Sequence, residues 1–198
     1  MLAYVFWHAA LPDAQSVEYE RWLTAFHAAL CADPLPGFIG SMSFRMDRAP
    51  WLPSTGQVYE DWYLVEHSGT LDTLNDAAVS ARRQVSHDRV AALAGSGVGG
   101  LYRLRKGQVA LDQTRVAVWL SKPRGESYAT FHAALGPRLD QGVTTVWARQ
   151  MVLGPTPEFC LHAGTDNRLS ADLGVHISLD PVWSGLAPND SPAVGESS

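Results

Sequence analysis

The chain has 198 residues, is 46% hydrophobic and 18% charged, and carries a net charge of −5 from 20 acids against 15 bases. That balance describes a globular protein with apolar residues enough for one large core or two small ones, and it excludes a disordered chain. Arg82-Arg83 and Arg103–Lys106 are the only basic groupings; both read as solvated faces, so nucleic acid is not an expected partner.

Residues 2–9 are rich in aromatic and β-branched side chains and end at Leu11-Pro12-Asp13, which predicts a strand. This apolar start is too short for a membrane span and lacks the basic flank of a secretory signal. No membrane partner and a cytoplasmic location are therefore expected. Cys31 and Cys160 then read as reduced, semi-buried thiols. Ser16 offers a cap for a helix in which Tyr19, Leu23, Phe26 and Leu30 form one apolar stripe. Pro34–Gly37 ends it, and residues 38–46 alternate as a strand with Ser41, Ser43 and Arg45 on its polar face. A proline-containing loop spans 47–56, and 59–66 is a third strand. A long helix from Leu71 to Leu93 is expected to break near Ser86. Gly95–Gly100 punctuates it, and 101–105 is a fourth strand. Residues 115–121, 126–139, 143–153 and 158–163 repeat strand, helix, strand, strand. Only 166–173 is left for a second helix there, and 173–179 closes the series. Residues 181–198 look like a flexible tail.

The order strand, helix, strand, strand, helix, strand is the ferredoxin-like module. It occurs twice. Phe-His-Ala-Ala-Leu stands at 26–30 and again at 131–135, and each copy is followed by a glycine, Gly37 and Gly142, at the same offset of 105 residues. Residues 1–107 thus form one module and 108–180 an abbreviated second. In residues 4–8 and 116–120 both alternating sets are apolar, so neither sheet has a wet face. An α+β fold follows, with the two sheets packed together as an eight-stranded barrel and the helices outside.

With this order of elements and this repeat, the chain resembles the dimeric α+β barrel superfamily, in a form with both modules fused. The resemblance implies a site between sheet and helices. It also implies membership of a group that includes cofactor-independent monooxygenases, isomerases and haem-binding enzymes, without selecting among them.

Several residues are candidates for ligand binding. Arg45, beside Ser41 and Ser43, would be a buried cation inside a closed barrel, needing Glu60, Asp61 or an anionic ligand. Trp7, Trp62, Trp119 and Trp147 are strand-borne and expected to pack in the barrel, where Trp7 and Trp62 could also stack an aromatic ligand. His8 and His67 end strands one and three and could serve as general base or metal ligand, although no metal site is predicted. Asn75, Arg82 and His87 could face the open end of the cavity. His27 and His132 read as core-edge histidines. Trp62 and His87 match residue types of haem-degrading relatives, but no asparagine on the first strand completes that set. The expected function is binding of a small aromatic or anionic molecule, with monooxygenase or isomerase activity and no tightly bound cofactor. Two alternatives are haem binding through His87, His67 or His8, and a non-catalytic interaction domain with a filled barrel. Assembly into a homo-oligomer is compatible with all three readings.

Overall fold

The computed structural model describes residues 1–187 except 34, 111, 140–141, 152–153, 155, 165–168 and 170–172. The first module contains β1 (Leu2–Ala10), α1 (Ser16–Ala32), β2 (Phe38–Met46), β3 (Val58–Val65), α2 (Thr70–Ala78), α3 (Ala81–Leu93) and β4 (Ala94–Gly107). The second contains β5 (Val116–Leu120), α4 (Tyr128–Leu139), β6 (Val143–Arg149), β7 (Phe159–Ala163) and β8 (Val175–Leu186). All strand pairs are antiparallel and close a barrel in the order β1-β3-β2-β8-β5-β7-β6-β4. Each module contributes a four-stranded sheet, and the edges join as β2 to β8 and β4 to β6. The repeat glycines serve the same turn. Gly37 has φ 80° and Gly142 φ 93°, a region that side chains disfavour.

Alternation sorts the side chains into three layers. Ala3, Val5, Trp7 and Ala9 of β1 point into the barrel with Met42, Phe44, Trp62, Trp119 and Trp147. Leu2, Tyr4, Phe6 and His8 point the other way, toward α1, α2 and α3. Val118, Leu120, Phe159 and Leu161 meet Phe131 and Leu135 of α4 on the second module's outer face.

Four boundaries differ from expectation. Ser16 is the first helical residue rather than the cap; Gln15 precedes it and makes no side-chain capping bond. The long helix breaks at Val79-Ser80, earlier than Ser86, because Ser80 turns to extended geometry (φ −120°, ψ 150°). Residues 95–100 belong to β4. Their glycines are needed there, since a Cβ on Gly97 would lie 2.4 Å from the Phe6 ring and one on Gly99 2.6 Å from the Tyr4 hydroxyl. β8 runs on to Leu186 beside β2, so residues 181–186 are strand and not tail. The expected helix at 166–173 and the end of the tail lie outside the described residues.

Candidate active site

β3 carries Glu60 and Asp61 side by side, in a strand buried at all its positions. Successive strand residues face opposite ways, so the two carboxylates serve different compartments. Glu60 enters the barrel and accepts hydrogen bonds from Nε1 of Trp7 (2.6 Å) and Nε1 of Trp62 (2.7 Å). Burial pushes its pKa up to about 7, against the pull of those two donors.

Asp61 faces the helices and is 1% exposed. Its Oδ2 lies 3.1 Å from His8 Nε2 and 3.2 Å from His27 Nε2, and it accepts a hydrogen bond from the Tyr63 hydroxyl at 3.0 Å. The two imidazoles approach off the hydrogen-bond axis, so their attraction is chiefly coulombic. Burial alone would raise the carboxyl's pKa. When His8 and His27 are protonated, their charges more than offset that and hold it well below the usual carboxylate range. On the far side of His8, Nδ1 is 2.6 Å from the Tyr19 hydroxyl of α1. His27 Nδ1 is 2.9 Å from Ser41 Oγ, which also accepts from Trp183 Nε1 at 3.2 Å. With both rings neutral, Tyr19 and Ser41 donate to the two Nδ1 atoms and the Nε2–H groups face Asp61; with the rings protonated, the two Nδ1–H groups donate instead. Burial and the charge of Asp61 raise the pKa values of Tyr19 and Tyr63, so both hydroxyls stay protonated.

This network borders a cavity of about 680 Å³ between the sheet and α1, α2 and α3. Tyr4, Phe6, His8, Asp61 and Tyr63 line the sheet side. Leu23, Phe26, Leu71, Leu74 and Val90 line the helix side, with Asp72, Asn75 and His87 also on its border. Arrangements of this kind hold a flat apolar molecule against a few fixed polar groups.

The sequence candidates distribute unevenly around it. His8, Asn75 and His87 line the cavity. Ser41 acts one step back, through His27. Ser43 shares the buried face, and its hydroxyl has no hydrogen-bond partner among the described residues. Arg45 is not a cation inside the barrel. Odd-numbered residues of β2 face outward, and Arg45, 39% exposed, pairs with Glu20 at 2.8 Å and Asp180 at 3.0 Å. Its salt bridge therefore forms on the outside, with neither Glu60 nor Asp61. His67 lies at the opposite end of the sheet from His8, because β1 and β3 are antiparallel (His8 opposite Tyr59, Leu2 opposite Val65), and it is exposed. Arg82 is exposed and lies off the cavity. The helical face that turns inward starts at Arg83, which bonds Asp33, and reaches His87 one turn later. Trp7 and Trp62 pack inside the barrel with Trp51, Trp119, Trp147 and Tyr102, their ring centroids 5.1–6.3 Å apart. The shared interior is thus filled with rings.

Tyr19, His27, Asp61 and Tyr63 escaped the sequence reading as site residues. The signal was present in the β3 sequence: Tyr59, Asp61 and Tyr63 form one alternating set, polar at its centre, in a strand with no exposed position.

No family model and no curated protein matches this sequence. Solved structures do. An anthrone oxidase-like protein matches with a TM-score of 0.57 at 9% identity, over 95% of this chain and 94% of that one. A candidate monooxygenase from Lactobacillus acidophilus NCFM gives 0.55 at 10% identity, over 93% and 98%. A candidate chlorite dismutase gives 0.52 at 11% identity, over 91% and 94%. The chain has the dimeric α+β barrel fold. Both modules lie in one chain, as the duplicated pentapeptide implied. At these identities the likeness extends to the fold alone. Among the described residues no helix is long and apolar enough to cross a membrane.

Proposed function

We propose that the chain is a small-molecule enzyme that removes a proton from an aromatic carbon acid, and that it acts as a cofactor-independent monooxygenase. The observation that carries this reading is the Tyr19–His8–Asp61 chain on the cavity wall. A substrate C–H proton passes to the Tyr19 oxygen as the Tyr19 proton moves to His8 Nδ1. The imidazolium so formed is held by the Asp61 carboxylate, and a positioned relay of this type contributes on the order of 10²–10⁴-fold. The carbanion, spread over the aromatic rings, supplies the electrons that reduce O₂. The hydroperoxide takes its proton from His8 and loses water, so that R₂CH₂ and O₂ give R₂C=O and H₂O. An isomerase would share the first step and return the proton to another carbon. The descriptions of the anthrone oxidase-like and monooxygenase neighbours fit this chemistry.

Haem suits the cavity poorly. His8 has partners at both ring nitrogens, and Asp61 and Asp72 stand among the described lining residues without a lysine or arginine to receive propionates. Anaerobic deuterium exchange at the C–H of a hydroxylated anthrone, followed by O₂ uptake in air, tests the proposal. Wild type should exceed buffer about 100-fold and His8→Gln should not. A wild-type rate equal to buffer overturns it.

A further inference from the structure

We infer that the cavity selects an uncharged, hydroxyl-bearing aromatic, seating its O–H on Oδ1 of Asp61 and turning carboxylates away. This deepens the reading above and rests on the cavity being a ligand site.

Three groups crowd Oδ2 of Asp61, yet Oδ1 of the same carboxylate is buried and has no hydrogen-bond partner among the described residues. A buried carboxylate oxygen without a donor is costly, and native structures rarely leave one. The residue borders the cavity, so a molecule entering there can supply the missing donor. With the carboxyl ionised, that oxygen can only accept. A ligand must therefore bring a proton, as a phenol or enol does.

The walls set its shape. Tyr4 and Phe6 lie nearly parallel (14° between planes, centroids 6.4 Å apart), and Phe6 stacks on His8 at 5.1 Å and 17°. A wall built of such rings favours an aromatic guest. Charge sets the rest. Asp72 is a second carboxylate on the lining, none of the described lining residues is Lys or Arg, and Arg45 is engaged elsewhere by Glu20 and Asp180. An anionic ligand would meet two carboxylates, with no Lys or Arg among the described lining residues to compensate them. The expectation of an anionic ligand, which rested on Arg45, therefore inverts.

Calorimetric titration of the full chain at pH 7 with 2-naphthol, 2-methoxynaphthalene and 2-naphthoate tests the inference without any mutation. A hydrogen bond to a charged acceptor is worth about tenfold to hundredfold in affinity. Naphthol should bind at least about tenfold tighter than its methyl ether, and naphthoate should not saturate. A smaller gap, or saturable naphthoate binding, overturns the inference and leaves the cavity a ligand site. Failure of all three to bind removes the ligand site as well. In folded Asp61→Asn the preference for naphthol over naphthoate should collapse; its persistence shows that the carboxylate is not its source and overturns the inference.

Discussion

The two modules share a backbone plan and differ in what lies under their helices. Trp7 stands opposite Glu60 in the first, as Trp119 stands opposite Cys160 in the second. In that alignment His8 corresponds to Leu120, Asp61 to Leu161 and Tyr63 to Ala163. The second module has hydrocarbon at these three positions, and those residues form a continuous apolar cluster with Phe131 and Leu135. The repeated pentapeptide makes the contrast sharper. His27 is fully buried against Asp61 and Ser41, whereas His132 is exposed beside Tyr128 and Phe159. A fold of this kind needs one apolar layer beneath each helix; it does not need a carboxylate in either.

Exchanging the two residue sets should break this comparison most severely. Leu161→Asp places a carboxylate in the apolar cluster with no partner and should cost about 4 kcal/mol in chemical denaturation. Asp61→Leu strands two histidines and should cost about 3 kcal/mol, with all proton-exchange activity lost. A second-module variant as stable as wild type would refute the asymmetry.

The next effect concerns pH and the two adjacent acids of β3. Glu60 has a folded pKa of about 7, above its ordinary value of 4.5, so the native state binds more protons between those limits. Stability should therefore fall as pH rises from about 4.5 to 7, by roughly 3 kcal/mol, and Glu60→Gln should flatten that slope. Asp61 acts with the opposite sign. Its folded pKa is depressed, so its contribution is present above about pH 4 and is lost on further acidification. Denaturation midpoints across pH 4–8 for wild type and Glu60→Gln measure this directly.

The paired histidines follow. His27→Ala should cost about 2 kcal/mol, and His132→Ala less than about 0.5 kcal/mol, in thermal melts. Equal costs would mean that the repeat is structural in both copies. Arg45→Met is the smallest: a half-exposed ion pair contributes less than about 1 kcal/mol, and naphthol affinity should not change.

The sequence displayed most of the architecture and little of the chemistry. The apolar stripe of α1, the alternation of β2 and the 105-residue offset carry their own periodicities, so those elements could be read directly. Gly95–Gly100 could not, because a glycine run reads as a loop unless the rings of Tyr4 and Phe6 that occupy the missing side-chain space are known. Arg45 misled for a related reason. Its polarity was plain, but which face of β2 turned inward depended on Met42 and Phe44 outcompeting Ser41 and Ser43 for the barrel. The Asp61 network joins residues from β1, α1, β2 and β3, and no local spacing announces it.

Closure of the barrel through β2–β8 and β4–β6 has one more consequence. Each half spends its outer strands on the other, so a cut between 108 and 115 would bare four edges at once and leave two aggregation-prone pieces rather than two domains. Fusion also released the copies from identity. In a dimer of separate subunits any change in one face is imposed on both, whereas here one half can specialise in chemistry while its twin serves only as foundation.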